Sequence, residues 1–88
     1  MRIDRIDTHS TFEKHYKRLS KGVKETAKAK ESIFRNNPFQ AMLDTHKLHG
    51  KDRGAWAFSV NQKYRIKFIF LADNSVLFLD IGTHDIYR

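Results

Sequence analysis

The chain has 88 residues, with 17 Lys and Arg against 10 Asp and Glu, five histidines and no cysteine. That length carries one small domain, 1–88, and excludes two; the lack of cysteine excludes disulfide staples and thiolate metal sites. A formal net charge of +7 points to a polyanionic partner, nucleic acid or an acidic protein segment, beside the plainer reading of a soluble basic surface.

The opening Met1-Arg2-Ile3-Asp4-Arg5 is charged and has no apolar run behind it. A signal peptide and a membrane span are not expected, and the chain reads as cytoplasmic. Met1 to Ile6 alternates weakly, as a short strand does. Thr8 or Ser10 is placed to cap a helix, with Glu13 three residues after Ser10 as in a capping box. Phe12, Tyr16, Leu19 and Val23 recur at helical spacing. Ser20-Lys21-Gly22 breaks the pattern and predicts a turn. A second, half-solvated helix follows over Val23 to Arg35, rich in Lys, Glu and Ala. Asn36-Asn37-Pro38 ends it.

The period then changes. Trp56, Phe58 and Val60 alternate with Ala57 and Ser59, and Asn61-Gln62-Lys63 predicts a turn. Tyr64, Ile66, Phe68 and Phe70 face one way, Arg65 and Lys67 the other. Ala72-Asp73-Asn74-Ser75 makes the next turn. Val76 to Gly82 is apolar at nearly every position, as in a central strand covered on both faces. The expectation is an α+β, two-layer fold: an N-terminal strand, a helical hairpin, then an antiparallel β-meander with both helices on one sheet face.

His84 lies just past the last strand, where a rigid element aims a side chain. It reads either as an acid or base, since histidine suits proton transfer near neutral pH, or as a residue that packs on the tail or bonds Asp85. Arg65 reads as a two-pronged phosphate clamp or as an exposed strand arginine. Tyr64 suits base stacking or the core. His46-x-x-His49 lacks any cysteine or carboxylate cluster nearby and is a weak ligand set, so no metal is expected. His9 and His15 read as solvated helix residues. Lys14, Lys17, Arg18, Lys21, Lys24, Lys28 and Lys30 crowd the helical hairpin, and Lys47, Lys51 and Arg53 the loop before Trp56. They form a solvated face or a surface for RNA phosphates.

Read together, Asn37-Pro38-Phe39, His46-Lys47-Leu48-His49-Gly50, Tyr64-Arg65-Ile66 and Ile81-Gly82-Thr83-His84-Asp85, in this order and at this length, resemble the RelE/ParE superfamily of bacterial toxins, in its YafQ-like branch. The resemblance implies a RelE-like fold and a ribosome-dependent endoribonuclease that cuts mRNA in the ribosomal A site without metal or cofactor. Its partners would be the ribosome with its 16S rRNA, mRNA and an acidic antitoxin, with no membrane. By the same resemblance His84 matches the catalytic histidine of the G-T-H motif, His46 the first histidine of the H-x-L-x-G loop, and Arg65 an arginine tied to activity. Tyr64 matches an aromatic of the cleft, and Asp85, Tyr87 and Arg88 are secondary candidates, as are Lys47 and Lys51. Where the branch carries a further histidine and an aspartate, this chain has Ser59 and Lys63: either Lys63 substitutes by charge, or the enzyme is weak or differs in codon preference. A ParE-like gyrase-binding toxin without nuclease activity, or a non-toxic RNA- or antitoxin-binding member, are the alternatives, since fold alone does not fix function.

Overall fold

A computed structural model describes residues 1–52 and 54–87, with Asp52 and Tyr87 described through their backbone. The described elements are β1 (Arg5–Thr8), α1 (Ser10–Lys17), α2 (Lys21–Asn36), β2 (His46–Lys47), β3 (Trp56–Ser59), β4 (Arg65–Leu71) and β5 (Ser75–Gly82), with 3₁₀ turns at Ala41–Leu43, Gly50–Asp52 and His84–Tyr87. The strands form one sheet in the order β1-β5-β4-β3-β2. β2 to β5 pair antiparallel, and β1 joins β5 in parallel, Arg5 opposite Ser75 through Thr8 opposite Phe78. The architecture is the α+β one the sequence predicts, a strand, two helices and then an antiparallel meander.

Local chemistry places the elements, with several shifts from expectation. The first strand starts at Arg5, not Met1. Ile3 is instead a core residue, and its N–H bonds the Arg35 carbonyl at the end of α2, 2.8 Å away. The cap of α1 is His9, whose Nδ1 accepts from the Thr11 N–H at 3.0 Å. Thr8 instead donates its hydroxyl to Glu13, 2.8 Å. Ser20 caps α2 by accepting from the Val23 N–H, so Lys21 and Gly22 belong to the helix rather than to a turn. β2 is an addition. Two residues are too short for any periodicity to reveal, and pairing with Trp56 and Ala57 alone defines it. Asp73 and Asn74 both adopt positive φ, 59° and 56°, the conformation of a tight hairpin turn that Asp and Asn tolerate.

The core lies between the helices and one sheet face. Phe34 of α2 is fully buried and its ring meets Phe58 (4.6 Å, stacked), Phe68 (4.9 Å, edge-on) and Phe78 (5.7 Å, edge-on). Phe34→Ala should therefore cost about 3–5 kcal/mol. At about 4–8 °C per kcal/mol for a domain of this size, the thermal midpoint should fall by roughly 12 °C or more, as scanning calorimetry would show. The far face of the sheet is covered only in part, contrary to the expectation for β5. There Leu48, Ala55 and Ala57 form a small second cluster with Ile69 and Leu79. A bulge in β5 pairs Lys67 with Asp80 but Phe68 with Phe78, leaving Leu79 over.

Candidate active site

Side chains opposite one another across a sheet share a face. His46 pairs with Ala57, and Ala57 with Lys67. Ser59 pairs with Arg65, and Arg65 with Gly82. Ala57 belongs to the small cluster on the face away from the helices. His46, Ser59, Arg65 and Lys67 therefore lie on that open face, and the row Ser59–Arg65–Gly82 ends on the strand that leads to His84. Strands are about 4.8 Å apart, so His46 on β2 stands about 14 Å from β5 across two intervening strands. The open face thus carries His46 on β2 and the cations Arg65 and Lys67 on β4, and His84 follows in the turn after β5.

His46 is exposed, and its Nδ1 lies 2.9 Å from the Asp44 carbonyl. A carbonyl only accepts, so Nδ1 carries a proton and Nε2 is the basic nitrogen of the neutral ring. Asp44 makes this contact from a left-handed conformation, φ 49°. The loop before it is pinned by the Thr45 hydroxyl donating to the Pro38 carbonyl.

Arg65 works for the fold as well as for the face. Its Nη1 donates to the Asn61 carbonyl at 2.6 Å and to the Tyr64 carbonyl at 3.1 Å, closing the β3–β4 turn. Asn61 Oδ1 accepts from the N–H groups of Lys63 and Tyr64 and completes that turn. No ion pair of Arg65 with a carboxylate is found among the described residues. The guanidinium is fixed in place without a counter-charge, a suitable arrangement for an anionic ligand.

His84 and Asp85 are exposed in the last 3₁₀ turn. Ile86 folds back from this turn onto Gly82: a Cβ at Gly82 would stand 2.6 Å from Ile86 Cγ2. Lys67 Nζ donates to the Ile86 carbonyl at 3.2 Å, and the Ile86 N–H donates to the Thr83 carbonyl at 3.1 Å. The glycine of the G-T-H motif is therefore a notch that lets the histidine-bearing turn lie against the strand.

Other candidates fall elsewhere. Lys47 pairs with Trp56, which packs on the main core, so it lies on the helix side, away from His46. Lys51 is exposed in the Gly50–Asp52 turn. Tyr64 packs against the main core, with Lys63 Nζ 5.7 Å from its ring centroid. The side chain of Tyr87, together with Arg53 and Arg88, lies outside the described residues. His9 and His15 are not simply solvated: His9 caps α1, and His15 Nδ1 meets Asp80 Oδ1 at 2.6 Å. Among the described residues no group of three or more His, Cys, Asp or Glu is placed to hold a metal ion, and no helix is long and apolar enough to cross a membrane. Lys67 was not singled out as a site residue from the sequence. Its alternation with Ile66 and Phe68, in step with Arg65, was the signal available.

No model of a known protein family matches the sequence, and no curated protein matches it. Solved structures do. A YoeB/ParE toxin from Agrobacterium tumefaciens superposes with a TM-score of 0.77 at 13% identity, covering 92% of this chain and 99% of that one. The Escherichia coli DinJ–YafQ toxin–antitoxin complex provides a match with a TM-score of 0.74 at 23% identity, covering 98% and 97%. A chain of the archaeal RelE–RelB complex from Pyrococcus horikoshii gives 0.73 at 18%, covering 94% and 96%. At these identities the likeness establishes the fold over nearly the whole chain.

Proposed function

We propose that the chain is the toxin of a type II toxin–antitoxin pair and acts as a ribosome-dependent mRNA endoribonuclease. The observation that carries this reading is the row Ser59–Arg65–Gly82. In that row a fixed, uncompensated guanidinium lies on the open face beside β5, the strand followed by the turn that carries His84, with His46 on the same face. The net charge of +7 suits an RNA partner, and the likeness to YoeB, YafQ and RelE toxin structures supports the class.

The reaction this arrangement suits is internal attack by a ribose 2′-hydroxyl on the adjacent phosphate. Nε2 of His46 takes the hydroxyl proton, and the 2′-oxygen bonds to phosphorus. Arg65, with Lys67 on the same strand face, stabilises the charge gathering on the phosphorane oxygens. The bond to the 5′-oxygen breaks and His84 protonates that leaving oxygen. The products are a 2′,3′-cyclic phosphate and a 5′-hydroxyl, with no atom left over and no redox change. The DinJ and RelB complexes motivate an antitoxin partner here. An acidic segment that folds on binding would cover the basic face and block the substrate.

The test is tightly controlled induction of the chain alone in bacteria, with mRNA 5′ ends mapped against the reading frame. Cuts within translated codons are expected. A ParE-like, gyrase-directed activity predicts DNA damage with intact mRNA, and growth without arrest would reject a toxin altogether.

A further inference from the structure

Beside Arg65, on the side away from β5, lies a cavity of about 300 Å³ lined by Lys30, Met42, Ser59, Asn61, Gln62 and Arg65. No carboxylate lines it. Lys30 stands three residues after Ala27 and four before Phe34, both buried, so it occupies the inward stripe of α2. A lysine there keeps its stem against the protein and must deliver its ammonium to water or to an anion. Among the described residues no hydrogen bond or ion pair of Lys30 is found, while its helix neighbour Glu31 is taken by Arg35. Arg65 reaches the same space at the β3–β4 turn end of the sheet, where Asn61 and Gln62 line the cavity and Nη1 is anchored on the Asn61 and Tyr64 carbonyls. Two cations, one a fixed fork and one a point charge, thus share a cavity with no neutralising group. On another wall Met42 is 59% exposed, in a 3₁₀ turn whose end is set by the left-handed Asp44. A large thioether left in water is a soft, polarizable surface suited to the face of an aromatic ring.

We infer that this cavity is a subsite for one nucleotide of single-stranded RNA, flanking the reacting one, with its phosphate between Lys30 and Arg65 and its base against Met42. Asn61 and Gln62 supply the polar rim. The inference rests on the reading of the chain as an RNA-cleaving toxin and deepens it. Arg65 then stands between two phosphates of the bound strand, the flanking one towards Lys30 and the scissile one towards β5 and the turn that carries His84. Neither Lys30 nor Met42 is asked to take part in the chemistry.

The chain has two methionines, Met1 and Met42, so selective ¹³C-methyl labelling gives one probe in the cavity and one control. The protein is titrated with a 2′-O-methylated hexanucleotide, which it cannot cleave, and separately with hexaglutamate. Saturable movement of the Met42 methyl with the oligonucleotide, and not of Met1, is expected. Lys30→Gln should weaken that binding at least fivefold and lower the slope of log Kd against log salt by about 0.7, the value for one single-strand phosphate. Lys21→Gln, on the exposed start of the same helix, is the control for general charge. A Met42 methyl that stays still with the oligonucleotide, or moves only with hexaglutamate, overturns the subsite. In that event in-frame cuts by the unaltered protein would keep the nuclease reading standing, and their absence would remove both. Oligonucleotide binding that Lys30→Gln leaves unchanged also overturns the assignment.

Discussion

His84→Ala is expected to lower single-turnover cleavage of mRNA in a ribosomal complex by about 10²–10⁴-fold, the range that one positioned acid or base supplies, while leaving the thermal midpoint nearly unchanged. The small stability effect follows from the exposure of His84, in a turn that Ile86 and Lys67 hold by the contacts described. His46→Ala should act by a similar factor, for its ring is also exposed and its bond to the Asp44 carbonyl serves to set the tautomer. If proton removal and proton donation belong to one transition state, the double variant should fall no more than about tenfold below the worse single one, because groups that act as a unit lose their effect together. Losses that multiply would place the histidines in separate steps. Unchanged cleavage in both single variants would end the acid–base reading. Arg65 is a poorer first test, because Arg65→Ala also removes the Nη1 bonds that close the β3–β4 turn.

Much of this arrangement was legible before any coordinates, and the exceptions have physical reasons. The alternation Tyr64, Ile66, Phe68, Phe70 against Arg65, Lys67 is a period-2 signal, and it put the cations on the face away from the core. The strand boundaries around Trp56 and Val76 followed from turn chemistry at Asn61 and at Asp73-Asn74, whose positive φ values are those the turn demands. The pairing of β1 with β5 was not legible, since a parallel partner 70 residues away (Arg5 with Ser75) leaves no local trace. For the same reason the pairing of His15 leaves no sign in its own segment: its partner Asp80 lies on β5, beside a bulge that no periodicity announces. The His9 cap carries no sequence signal, because histidine is an unusual capping residue beside Ser10, which offers the expected chemistry. Lys47 and His46 are neighbours in sequence, and only the register of a two-residue strand sends one to the open face and the other to the helix side. Lys30 looked like one lysine among many on a basic helix, and burial of Ala27 and Phe34 is what sets it apart.

The motif residue with the largest indirect effect should be Gly82. Its backbone needs no unusual dihedral; what it supplies is room. A methyl at that position would meet Ile86 Cγ2 at 2.6 Å, well inside contact distance, and Ile86 is β-branched, with little rotamer freedom to escape. The Ile86 side chain must leave its place beside β5, where it is 9% exposed. The backbone then has to follow, because the Ile86 N–H and carbonyl are tied to Thr83 and Lys67. Overpacking of this kind costs about 1–3 kcal/mol, and here much of that cost is avoided by peeling the last turn away rather than straining the sheet. Gly82→Ala should therefore lower the thermal midpoint little, yet move His84 relative to Arg65. A displacement of about 1 Å is enough to cost on the order of 10²-fold in rate. The measurement is cleavage rate and thermal midpoint on the same preparation, with Ile86→Ala added to Gly82→Ala. Removing the clashing Cγ2 reopens the space, so partial recovery of activity in the double variant is expected, whereas a simple loss of core packing would make the double variant worse. If Gly82→Ala cleaves as fast as the unaltered chain, the notch does not position His84, and the glycine has no part in the site.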